Sequence, residues 1–98
     1  MTIKWLRLLE IAKKVSGSEV VFVASAGDET AEKLRGAIKL QSPLIVYLNL
    51  GKNKTADEIM HTLAHELAHA KVDEHSNKFF EVVNDLRETI KEEYNHGS

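Results

Sequence analysis

Apolar residues recur along this chain first at helical and then at strand-like spacing. Ile3, Leu6, Leu9 (with Leu8 beside it) and Ala12 fall three apart among charged residues, and Ser16-Gly17-Ser18 ends the pattern. This predicts a first amphipathic helix. Val20-Val21-Phe22-Val23 follows, β-branched and aromatic between small residues, as suits a buried strand with its exit turn at Ala24 to Asp28. Residues 29–35 fit either a short helix or an exposed loop. Gly36 to Leu40 and Leu44 to Leu50 read as two short strands around Gln41-Ser42-Pro43, where the chain's only proline supports a turn. They form a hairpin candidate. Leu44 to Leu48 is apolar at successive positions, so one face should pack on the core and the other against something else.

Thr55-Ala56-Asp57-Glu58 has the form of a capping box and starts a helix at about residue 56. It should run to about Lys71, with Ile59, Leu63, Leu67 and Ala70 as its core stripe. Ser76 can cap a last helix carrying Phe79, Val83, Leu86 and Ile90, and beyond Tyr94 a loose tail is expected. Trp5, Phe22, Phe79 and Phe80 read as core. Three helices and about three strands make an α+β chain with a small, mostly antiparallel sheet.

The 98 residues, 43% hydrophobic, suffice for one core, so residues 1–98 are expected to form a single domain. With no cysteine the disulfide staple common in small domains is closed, and a bound metal would stabilise as well as act chemically. Thirteen Lys and Arg against fifteen Asp and Glu leave a net charge of -2, which lacks the basic surface that drives nucleic-acid binding. No segment approaches the roughly 20 apolar residues of a membrane span, and the charged N-terminus has no signal-peptide core. The expectation is a soluble, cytoplasmic protein without a nucleic-acid or membrane partner.

The candidate chemistry lies between residues 65 and 75. His65 and His69 are four apart, so on a helix both can aim imidazole nitrogens at one ion, while Glu66 projects beside that face. This is the HExxH arrangement, in which zinc lowers the pKa of a bound water and Glu66 takes its proton as general base. A catalytic zinc usually has three protein ligands and one open position. His75, six residues past His69 and just before Ser76, is the first choice for the third, with Glu74, Glu81 and Glu88 competing. His61, one turn before His65, reads as an exposed helix residue. Tyr47 and Tyr94 are candidate oxyanion donors, although such tyrosines more often pack with a satisfied hydroxyl.

A short strand, then HTLAHELAHA, then HSNKFFEVV resembles the minigluzincins, minimal zinc metallopeptidases of about this length; residues 61 to 83 carry the specific likeness. The resemblance implies a small sheet packed against an active-site helix and a following helix. It also implies Zn2+ held by His65, His69 and His75, with Glu66 as base and a peptide or unfolded protein as substrate. HtpX-type, SprT and WLM peptidase domains are similar more loosely. Metzincins share the six-residue step from second to third His but have a Gly where this chain has Val72. Minigluzincins are latent, which implies that residues 91–98 cover the cleft, with Lys91, Glu92 or His96 reaching toward zinc, either within one molecule or by exchange in a homodimer. In such enzymes the substrate extends the sheet along an edge strand, for which Leu44 to Leu50 is the expected rim. Two other readings share the motif. A YbeY-like metal-dependent endoribonuclease has the same histidine spacing but a Gly in place of Glu66, and a noncatalytic zinc-binding protein would give Glu66 no task.

Overall fold

The computed structural model describes residues 3–25, 36–72 and 76–96. Helix α1 spans Trp5–Ser16 and ends at Gly17, whose φ of 67° lets its N–H bond the Lys13 carbonyl at 2.9 Å. The core face of α1 is Leu8, Ile11 and Ala12, whereas Leu6, expected in that stripe, is 78% exposed. The apolar positions of this segment are dense enough to fit two overlapping stripes, and packing selects the later one.

Strands β1 (Val20–Ser25), β2 (Gly36–Lys39) and β3 (Leu44–Asn49) form one sheet in the order β1-β3-β2. The hairpin is present: β2 runs antiparallel to β3, with Gly36 opposite Leu48 and Lys39 opposite Ile45. β1, however, pairs parallel to β3, with Val20 opposite Leu44 and Ser25 opposite Asn49, so the sheet is mixed and not mostly antiparallel. The same order overturns the expectation that Leu44 to Leu50 forms a rim. β3 is the middle strand, bonded on both sides, as suits the most continuously apolar of the three. The open edges among the described residues belong to β1 and β2. The segment left open at 29–35 lies outside the described residues.

Alternation along the strands gives the sheet two faces. Val20, Leu44, Val46 and Leu48 are buried under the helices, while Val21, Val23 and Tyr47 are 40 to 44% exposed on the other face. α2 (Ala56–His69) starts with the expected capping box: Thr55 Oγ1 accepts from Glu58 N at 3.1 Å and Glu58 Oε1 accepts from Thr55 N at 3.1 Å. Its Ile59, Leu63 and Leu67 are fully buried, and Ala70 is exposed at the cap. α3 (Asn77–His96) begins with Phe79 N donating to Ser76 Oγ at 3.4 Å and buries Phe79, Val83, Leu86 and Ile90. It continues two residues past Tyr94, where a loose tail was expected. Of the aromatic residues read as core, Phe79 is fully buried, Trp5 and Phe22 are half-buried in an edge-to-face pair 6.2 Å apart, and Phe80 is 52% exposed.

Charged groups lash α3 to its neighbours. Asp57 at the start of α2 meets Arg87 and Lys91, each at 3.3 Å. The Lys91 ammonium, with Arg87 behind it, holds the Asp57 carboxyl below its ordinary range. Lys14 of α1 meets Glu93 at 2.8 Å, Arg7 Nη2 donates to the Glu93 carbonyl at 3.0 Å, and Lys4 N donates to the Tyr94 hydroxyl at 3.1 Å. No helix among the described residues is long and apolar enough to cross a membrane.

Candidate metal centre

The capping box fixes where α2 begins and hence which face each later residue takes. Leu63 and Leu67 point into the core, which leaves His65 and His69 half-buried on the flank of the helix. Their ring centroids lie 5.0 Å apart with planes at 75°. The ring of Phe79, 0% exposed on the first turn of α3, lies 5.1 Å from the His65 ring and 4.7 Å from the His69 ring. It is a common floor under both imidazoles. Sequence reasoning placed Phe79 in the core without this contact; the available signal was its position four residues after His75.

Glu66 lies between the two histidines in sequence and is 8% exposed. Burial disfavours the carboxylate and pushes its pKa up from 4.5 to about 7. β2 crosses α2 at this point: a Cβ on Gly36 would lie 3.5 Å from Glu66 Cγ, 2.8 Å from the Tyr47 carbonyl oxygen and 2.7 Å from Thr62 Cγ2. Thr62, one turn before Glu66, donates from Oγ1 to Asn53 Oδ1 at 2.6 Å, and Asn53 Nδ2 donates to the Asn49 carbonyl at 2.7 Å. All three are at least 94% buried. Nothing in the sequence pattern marked them.

Of the candidate third ligands, His75 and Glu74 lie outside the described residues, which resume at Ser76, three residues before Phe79. Glu81 and Glu88 are exposed on α3. Neither joins His65 and His69: among the described residues no group of three or more His, Cys, Asp or Glu could hold a metal ion. His61 is exposed, as expected. Tyr47 stands on the sheet face away from α2, and the Tyr94 hydroxyl is bonded at the start of α1. Lys91 pairs with Asp57, and residues 91–96 form the last turns of α3. Tyr94 there lies about 22 Å along the helix axis from Phe79.

Residues 48–98 match the WLM domain, a metallopeptidase-like domain related to the minigluzincin and SprT peptidases. The chain belongs to the WLM-domain family. The matched segment of this WLM domain starts at the end of β3 and contains both histidines, Glu66, Phe79 and the Thr62–Asn53–Asn49 chain. No curated protein and no solved structure matches the chain. Among the described residues, two imidazoles one turn apart and a buried carboxylate next in sequence to the first of them are groups of the kinds that zinc chemistry uses as ligands and base.

Proposed function

We propose that this WLM domain is a zinc-dependent endopeptidase in which His65 and His69 are two of the metal ligands and Glu66 is the general base. The observation that carries the reading is the pair of adjacent imidazoles on one flank of α2 with a buried carboxylate between them in sequence. His75 completes the ligand set in this reading: Glu81 and Glu88 stand apart, and residues 73–75 join the end of α2 to the helix whose Phe79 touches both rings.

When bound, zinc supplies the Lewis acidity that makes water a competent nucleophile near neutral pH and polarises a carbonyl. The chain's own residues do the rest. Phe79 limits the rotation of both imidazoles, which preorganises them for one ion. Glu66, ionised, takes a proton from the attacking water and then returns it to the departing amine, so one carboxyl serves as base and acid in turn. A peptide in extended form pairs with the edge of β2 that is open among the described residues, the strand that lies over Thr62 and Glu66. The proposed substrate is therefore an unstructured segment of protein, and 1–98 acts as one minimal peptidase domain.

Latency through the C-terminal segment belongs to the same proposal. Lys91, Glu93 and Tyr94 would first have to leave Asp57 and α1, either to fold back over the cleft or to exchange with a second copy. The decisive test compares wild type with Glu66→Gln on an unstructured protein substrate. The expected result is slow cleavage by the wild type, held back by its C-terminal segment, none by the variant, and the same zinc content in both. Equal cleavage by both would refute the assignment.

A further inference from the structure

We propose that Thr62, Asn53 and Asn49, together with Gly36, are positioning residues that fix where the Glu66 carboxylate sits. This inference rests on the peptidase reading for its purpose but not for its geometry.

The capping box sets the start of α2 yet leaves open how the helix is rotated and slid against the sheet. Thr62 and Glu66 are four apart and so share a face, which makes any bond to Thr62 a constraint on Glu66. Threonine is a modest helix former, and in mid-helix its hydroxyl commonly bonds the carbonyl four residues back. Here Oγ1 leaves the helix and donates to Asn53 Oδ1 at 2.6 Å. Asn53 passes the constraint on, its Nδ2 donating to the carbonyl of Asn49 at 2.7 Å, and Asn49 Oδ1 accepts from Gly51 N at 2.9 Å. The last residue of the central strand is thus tied by hydrogen bonds to the helix one turn before the general base.

Gly36 supplies a second constraint from the other side. A Cβ at this position would come within 3.0 Å of both the Thr62 methyl and the Tyr47 carbonyl oxygen and 3.5 Å from Glu66 Cγ, so only a glycine lets the strand pass this close to the helix. A buried polar chain is a costly way to fill space that apolar side chains could fill, because each member is destabilising unless satisfied. A buried chain of three such residues, ending one turn before Glu66, is explained by the register it specifies.

The test uses the full chain loaded with cobalt(II) in one series and zinc in the other. Thr62→Val should lower kcat by roughly tenfold or more, as small misplacements of a reacting group do, with KM and zinc content unchanged. Its cobalt absorption band should move toward that of Glu66→Gln. Thr62→Ser, which keeps the hydroxyl, should retain both the wild-type band and kcat, a rescue that lost packing alone would not give. Thr62→Ala serves the same purpose should the valine variant unfold. A Thr62→Val protein with the wild-type band and wild-type kcat overturns the inference alone. If the wild type binds cobalt and the bands behave as described but no peptide is cleaved, the peptidase reading fails and the positioning role stands. A chain that takes up no cobalt removes both.

Discussion

Glu66 is 8% exposed, and with no metal bound its burial is a cost whenever it is ionised. Its pKa is raised in the folded chain, so the folded state holds the proton more tightly than the unfolded one. The favourable contribution is complete below about pH 4.5 and is lost as the pH rises through about 7. Glu66→Gln stays neutral throughout. In chelator-treated protein at pH 8 the variant should therefore be the more stable, by up to about 3 kcal/mol, with the difference vanishing near pH 4; denaturant titrations at the two pH values measure it. A neighbouring cation favours the carboxylate, so zinc loading should shrink the gap. Phe79 makes the converse point, since its ring is both fully buried and in contact with both imidazoles. Phe79→Leu, which keeps most of the apolar volume, should leave the chain folded but weaken zinc binding about 10-fold or more, the usual loss on removing support from ligating side chains; competition with a chromophoric chelator reads this directly. The adjacency of His65 and His69 was legible because residues four apart share a face of a helix. Phe79, Asn53 and Thr62 were not, because their roles depend on contacts between elements that no local pattern encodes.

The helices could be read from their apolar stripes and from the Thr55–Glu58 box, and the three strands from their β-branched runs. Which strand lies in the middle could not, since β1 and β3 are both apolar and a hairpin settles only the β2–β3 pairing. With β3 in the middle, the open edges among the described residues are those of β1 and of Gly36–Lys39 in β2, not Leu44–Leu50. It carries a consequence for substrate binding. A peptide N-methylated at backbone amides flanking the scissile bond should show a several-fold higher KM than its parent, because N-methylation deletes ladder donors; equal KM values would argue against pairing along β2. Gly36 itself tests the fit of strand to helix. Gly36→Ala must move the Tyr47 backbone or the Thr62 turn, and should cost about 1–3 kcal/mol in chemical denaturation, the usual range for overpacking.

At the scale of the whole molecule, one cluster of buried residues joins all three helices to the inner sheet face. The two ends of the described chain meet, with Lys4 and Lys14 bonded to Tyr94 and Glu93 of α3. The pairing with Lys14 holds the Glu93 carboxyl below its ordinary range. A chain ending after Ile90 loses this clamp and also any obstruction by residues 91–98. Latency predicts that it cleaves faster than the full chain despite a lower melting temperature; a chain that folds and cleaves no faster rejects latency. Bound zinc should stabilise the fold by about 4 kcal/mol at a free concentration a thousandfold above its Kd.

The central claim is that His65 and His69 hold one metal ion beside Glu66. Metal analysis of zinc-loaded, extensively dialysed protein tests it most directly. The account predicts one zinc per chain, retained in Glu66→Gln and lost in His69→Ala. A dialysed wild type without zinc, or a His69→Ala protein that keeps its full complement, would contradict it.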